Sequence, residues 1–451
     1  MLLILTFTSF FLWLFNEFYW KRRNLPPGPV PLPFIGNLMA LKSQKPGYQA
    51  FTDWTARFGG VFTFWMANKP FIIISTYEKI KETFIRDGDT YSDKQLDASA
   101  KKRLEVEELF KEIDSYNGKP LDLPKLLDRS VGNVINLTLF NKRFETKHRD
   151  EFAHLKSLID GMRNVVSEFR YFIQYLVPWT SNVLPSPSLS EKVKERRDVL
   201  DNFFYEQVAE HRKEIDLDSE GSSDFVEAYL KEQRKREREG DEQSFCNKQL
   251  VAMCFDLWIA GLMTTTMTLT WGMSYYLHNP RIQKKIQEEL DAVIGSDRLI
   301  RTSDKNDLPY LSAFLNETQR CANIIPLNLL HMTTRDTVIE GFAVPKGTGV
   351  IAQISTVMMD EKVFPEPHLF NPDRFIEART GKLRKIDELV PFSVGKRQCI
   401  GEGLARMELF LFFGNLFNRY RIRADKLPSL DKSKDNFVLP RKFEAVLERR
   451  H

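Results

Sequence analysis

The chain has little that would tie it together covalently or through a metal. Its 451 residues include four cysteines, Cys246, Cys254, Cys321 and Cys399, too few for a disulfide scaffold, and none lies in a close CxxC pair of the zinc-site kind. Histidine is scarce, with 7 in all, and no pair follows Cys246 and Cys254 at finger spacing. Neither sign of charge dominates: 65 Lys+Arg face 61 Asp+Glu, a net +4, too small a surplus to point to nucleic acid. No internal repeat and no second linker interrupt the body of the chain. The 42% hydrophobic and 28% charged residues exclude wholesale disorder. The 35 phenylalanines suffice for a large core.

The longest apolar run comes first. Residues 1–20 read MLLILTFTSFFLWLFNEFYW and lead into Lys21-Arg22-Arg23. Twenty helical residues reach roughly 30 Å, about one hydrocarbon core, although Asn16 and Glu17 weaken the far end. No charge precedes Leu2 and the cations follow the run, the order of a retained anchor with its basic end in the cytosol. We expect a transmembrane signal anchor over 1–20, a basic and Pro-rich hinge over 21–37 and a folded domain over 38–451. The hinge contains Leu25-Pro26-Pro27-Gly28-Pro29-Val30-Pro31-Leu32-Pro33, where helix is nearly impossible. In the cytosol the cysteines would be free thiols or ligands, and the sequons at Asn136 and Asn316 unmodified.

Val61–Met66 and Phe71–Ser75 are short β-rich runs around Ala67-Asn68, the pattern of a hairpin. Helical periodicity covers 77–86, 104–113, 192–215, 249–277, 281–294, 311–320 and 404–417. The mixed-charge run Lys231–Glu242 reads as a solvated helix end or loop. From Val338 to Phe375 the chain turns to strands and Pro-rich loops. The fold class is mainly α with small β-sheets, a single large helix-rich domain behind the anchor.

Chemistry concentrates in Pro391-Phe392-Ser393-Val394-Gly395-Lys396-Arg397-Gln398-Cys399-Ile400-Gly401. Cys399 falls just before an apolar helix, whose N-terminal dipole and free N–H groups favour thiolate. Gly395 and Gly401 allow a tight turn against a flat ring. Arg397 offers a cation to an anionic group of any ligand held here, such as a propionate if that ring is a haem, and Phe392 can shield the sulfur. A buried free cysteine in a Gly-containing turn is the plainer alternative for the cysteine taken alone.

F-x-x-G-x-R-x-C-x-G resembles the haem signature of the cytochrome P-450 monooxygenases, in which cysteine-thiolate ligation of the iron is a general property of the family. Glu317-Thr318-Gln319-Arg320 is similar to its E-x-x-R motif and Asn371-Pro372-Asp373-Arg374-Phe375 to its P-x-R-F segment. The resemblance makes Glu317, Arg320 and Arg374 a structural ion triad. Ala260-Gly261-Leu262-Met263-Thr264-Thr265 resembles the family's oxygen-activation segment. It implies room beside the iron at Ala260 and Gly261, and proton relay toward the reacting oxygen by Thr264; back-bonding to the preceding turn is the bland alternative for a helical Thr. His331 stands where microsomal members hold a propionate, though a lone His is as often a satisfied surface or core residue.

The resemblance extends over nearly the whole chain and implies haem b, with NADPH acting indirectly through an NADPH-cytochrome reductase or a cytochrome b-type donor. The activity implied is insertion of one oxygen atom of O2 into a lipophilic fatty acid, sterol or xenobiotic. Such a substrate would meet Leu327 and Leu329. The location implied is the endoplasmic reticulum membrane, in contact with its lipid and not with nucleic acid. Lys396 and Arg406 offer a basic face to an acidic reductase domain, or are solvated or paired instead. Two departures stand out. Met263 replaces the usual acid. After Gln95 the chain passes directly to Leu96 and the 101–105 stretch, where the family has a substrate loop and a helix with W-x-x-x-R; none of the 7 Trp has Arg four residues on. Several dozen residues are missing there, as in a splice form, a mistaken gene model or a degenerate copy. A thiolate-haem isomerase or dehydratase, and a non-catalytic remnant, are the competing functions.

Overall fold

A computed structural model describes residues 16, 20–22, 25–32, 36–37, 40, 48–59, 61–66, 69–74, 98–144, 148–167, 187–219, 221–241, 243–325 and 329–450, apart from 333, 340–341, 345, 348, 353 and 433–437. These group into two compact units, Met1–Gln95 and Leu96–His451. The division falls where the sequence departs from the family pattern. The anchor over 1–20, save Asn16 and Trp20, and the helix expected at 77–86 lie outside the described residues.

The first unit carries helix α1 (Tyr48–Phe58) and the antiparallel pair β1 (Val61–Met66) and β2 (Lys69–Ile74). Residues 25–31 of the Pro-rich hinge carry no helix, as their prolines require, but they are not a free spacer. Thr63 on β1 donates its N–H to Pro27 O at 3.0 Å and its hydroxyl to Pro26 O at 2.6 Å. Asn37 Oδ1 accepts from the Trp65 N–H at 2.9 Å. Prolines lack a donor but keep their carbonyls, so β1 supplies the donors.

In the second unit the order is α2 (Ala98–Ser115), β3 (Leu121–Asp122), α3 (Leu123–Phe140), α4 (Arg149–Ser167), α5 (Pro187–Glu214), α6 (Phe225–Arg238), α7 (Asn247–His278), α8 (Pro280–Val293), α9 (Pro309–Ala322), β4 (Leu330–Met332), β5 (Thr337–Ile339), β6 (Phe342–Val344), β7 (Gly349–Ile351), α10 (Ile354–Met358), α11 (Glu402–Arg419), β8 (Tyr420–Arg423) and β9 (Glu444–Arg449). Among the described residues the strand pairs are antiparallel: β4 with β7, β5 with β6, and β9 between β3 and β8.

Helix α7 is the hub. It packs on α3, α5, α9 and α11 and buries Trp258, Leu262, Leu269, Trp271, Met273 and Tyr276. Among the described residues it is the one helix long and apolar enough to cross a membrane. That composition is equally what a core helix surrounded by others requires, and 56% of its most apolar stretch is buried inside the protein. Tyr276 stacks on Phe417 at 4.0 Å between centroids, with Phe314 edge-on to both, so α7, α9 and α11 meet through aromatic rings.

The end of the chain is tied in. Arg449 forms an ion pair with Asp114 of α2. Arg450 donates to the Phe417 and Asn418 carbonyls at 3.2 Å each and to Asp291 of α8 at 2.7 Å, so it caps α11 at its C-terminal end. Helices α3 and α4 were not legible in the sequence, and the Lys231–Glu242 run supplies the last half of α6.

Candidate active site

The loop before α11 is closed by its own backbone: the Cys399 N–H donates to Phe392 O at 2.9 Å and the Gln398 N–H to Gly395 O at 3.1 Å. Gly395 has φ +84°, a conformation open to glycine and strained for most side chains. Cys399 is exposed. Gly401 is the N-cap of α11 and offers no capping side chain, so the helix presents unsatisfied N–H groups beside the thiol. Ile400 is 93% exposed and Val394 59%, an apolar rim around a sulfur. Arg397 is exposed and makes no ion pair or hydrogen bond among the described residues. The Arg406 guanidinium lies 4.9 Å over the Phe392 ring while its Nε donates to Glu402 at 2.8 Å. Arg406 is therefore engaged inside the fold, which leaves Lys396 and Arg397 as the outward cations of this loop. An open thiol at a helix N-terminus, an apolar rim and a free guanidinium suit a flat, apolar, iron-bearing dianion such as haem.

Behind the loop, Glu317 and Arg320 are both fully buried on α9. Arg320 donates twice to Glu317, at 2.7 and 2.8 Å, and Arg374 Nε donates at 3.1 Å. The Asn371 N–H adds a further bond at 2.8 Å. Arg320 also reaches Met358 O at 3.1 Å. Burial opposes its charge, but the Glu317 carboxylate more than offsets this and raises its pKa. The structure thus brings the three residues together and adds two backbone partners that spacing alone does not show. Beside them, burial pushes the Cys321 thiol up to about 12, so it is inert as a nucleophile.

On α7, Ala260 is exposed and Thr264 half-buried. The Thr264 hydroxyl donates to Ala260 O at 2.7 Å, the back-bonding that helices tolerate. Its oxygen keeps acceptor capacity. Gly261 has a packing job: a Cβ there would meet Ile135 Cδ1 of α3 at 2.5 Å, so the clearance expected beside a cofactor is taken by a neighbouring helix. His331 sits exposed on β4, opposite Val350. Leu329 is 69% exposed. Leu327 lies outside the described residues.

A family model described as cytochrome P450 matches residues 26–105 and 102–446. The chain belongs to the cytochrome P450 family. Its relatives include cytochrome P450 2C25 of Mesocricetus auratus, 30% identical over 90% of this chain and 89% of that one. Cytochrome P450 2C8 of Homo sapiens is 30% identical over 91% of each. The probable cytochrome P450 CYP36A1 of Caenorhabditis elegans is 31% identical over 95% of this chain and 96% of its own. The mainly helical fold with small sheets is that of this P450 family, which implies a haem cofactor and monooxygenase chemistry. The family match falls into two pieces that meet at 102–105. The 444 aligned positions with the Mesocricetus protein take in only 90% of 451 residues, about 406, so about 38 positions face no residue of this chain.

Proposed function

We propose that this P450 inserts one oxygen atom of O2 into a lipophilic small molecule such as a fatty acid, sterol or xenobiotic. Electrons would come from NADPH through a reductase, or through a cytochrome b-type donor. The protein would sit at the endoplasmic reticulum membrane, held by residues 1–20 with the folded part in the cytosol. The carrying observation is the exposed thiol of Cys399 at an uncapped helix N-terminus, on a loop within the family match. Cys399 would ligate the iron; Arg397 and His331 would take the propionates. Phe392, clamped by Arg406, would cover the sulfur, and Gly395 and Gly401 would admit the ring. Thiolate-bound haem activates dioxygen and favours O–O cleavage. Overall, one C–H bond becomes C–OH, two electrons and two protons are consumed, and the second oxygen leaves as water. Ala260 offers a small side chain on the open face of α7, and the Thr264 oxygen would pass protons. Glu317, Arg320 and Arg374 hold the core behind the loop.

The deciding experiment is the carbon monoxide difference spectrum of the reduced protein. A strongly red-shifted Soret band in the chain, lost in Cys399→Ala, is the expected result. A band at the neutral-ligand position, or one unchanged in the variant, overturns the ligand assignment. The interrupted family match favours a second reading, a catalytically impaired member, which no haem signal at all would support.

A further inference from the structure

Oxygen insertion needs protons, yet α7 carries no acidic or basic side chain from Leu257 to Leu277. A cleft of about 690 Å³ opens on this helix at Met263, Thr266, Met267 and Thr270, and Asp128 of α3 lines it from the other side. Met263 is three residues from Ala260, and Met267 three from Thr264, so the cleft adjoins the face that bears both. The hydroxyls of Thr264, Thr268, Thr270 and Ser274 each donate to the carbonyl four residues back. Thr266 does not. Its residue is 6% exposed and its hydroxyl makes no bond of good geometry, yet it neighbours the Asp128 carboxyl.

Several charges share the cleft with Asp128. From α4 come Arg149, Asp150, Lys156, Asp160 and Arg163; Glu112 stands on α2, Asp122 on β3, Lys125 and Arg129 on its own helix, and Arg441 and Lys442 in the C-terminal segment. Lys156 is 3.7 Å from Asp128 and 2.9 Å from Asp160, so its charge is shared between the two carboxylates and lies nearer Asp160. Burial raises the Asp128 pKa, Lys156 opposes this and Asp160 reinforces it. A carboxyl so placed keeps its proton to higher pH than an ordinary aspartate and can still release it.

We propose that Asp128 supplies protons to the reaction through Thr266 and cleft water. The inference rests on the monooxygenase reading above. Each proton leaves the carboxyl for the site, and the carboxylate regains one from solvent at the cleft mouth; electrons come only from the reductase. Asp128 acts through other groups and is a positioning residue for the proton path.

The test uses the haem-loaded chain with an NADPH-dependent reductase. It reads product and peroxide per NADPH against pH, and the infrared carboxyl stretch against pH. Asp128→Asn should lower product per NADPH by about tenfold, below the 10²–10⁴ of a direct general acid because bulk water still delivers protons. It should also abolish the decline in coupling as pH rises through the Asp128 titration. Asp128→Glu should restore both, and Thr266→Val should act in the same direction as Asp128→Asn. The carboxyl band lost in Asp128→Asn should titrate above the ordinary range and move in Thr266→Val. Unchanged coupling and pH profile in Asp128→Asn and Thr266→Val overturn the proposal; if Asp128→Asn loses the carbon monoxide band, Thr266→Val decides alone. A band that titrates normally and ignores Thr266→Val overturns it whatever the activity. An unaltered chain with no thiolate-haem band, or no NADPH oxidation, overturns the monooxygenase reading instead.

Discussion

Glu317 accepts hydrogen bonds from two arginines and one backbone N–H with no exposed surface. Removing its charge would leave Arg320, also fully buried, without a counterion in a low-dielectric core. Breaking such a pair from one side costs about 3–5 kcal/mol. Glu317→Gln should therefore lower the urea midpoint by that much free energy; a loss under about 1 kcal/mol would show the triad to be dispensable. This site was partly legible in the sequence, since residues three apart on a helix share a face. The Asn371 N–H and the Met358 carbonyl were not, because their places depend on how distant loops fold back onto α9. Asp128 was equally hidden: on α3 it is one acid among many, and only the fold half-buries it in a cleft that α4 and the C-terminal segment also line.

Among the elements, the helices with strong periodicity were legible and their ends came within a few residues, as 311–320 against Pro309–Ala322 illustrates. Helix α3 was not, since Asn133, Asn136 and Gly132 weaken its intrinsic propensity. Burial of Leu127, Val131 and Val134 in the core supplies what propensity does not. Its closest approach to α7 runs through Gly261. Gly261→Ala would force a methyl against Ile135, and overpacking of this kind costs about 1–3 kcal/mol. A drop in the melting midpoint should register it, and an unaltered midpoint would mean that α3 and α7 separate freely.

The start of α6 carries its own pH sensitivity. Asp224 caps the helix, and Glu227 accepts from the Ser223 N–H at 2.7 Å and pairs with Lys231 at 2.8 Å. Burial would raise the Glu227 pKa, but Lys231 and Ser223 outweigh it and lower the value to about 2. A lowered carboxylate contributes stability above its unfolded pKa and loses it as pH falls through the folded one. The stability advantage of the unaltered chain over Glu227→Gln should accordingly shrink between about pH 4.5 and 2. A constant gap across that range would refute the assignment.

At the scale of the whole molecule, two observations coincide near residue 100. The compact units divide after Gln95 and the family match restarts at 102; the alignment with the Mesocricetus relative holds about 38 positions that face no residue of this chain. A stretch of that length ordinarily covers apolar surface that is otherwise left to water. Inserting between Gln95 and Leu96 the residues that the Homo sapiens relative carries there should raise the haem-to-protein ratio and the unfolding midpoint. If neither moves, the absence of such a stretch is not what limits haem content or stability.

Arg450 closes α11 from the far end of the sequence, and β9 pairs with β3 more than three hundred residues earlier. Arg449 and Asp114 lie 335 positions apart. Contacts between residues so far apart in sequence carry a loop-closure cost that must be met before they stabilise anything. The cap on the helix that follows Cys399 and the middle strand of the β3–β9–β8 sheet are therefore late steps of folding, and the loop of Cys399 stands on a helix that is finished only when distant parts of the chain have met.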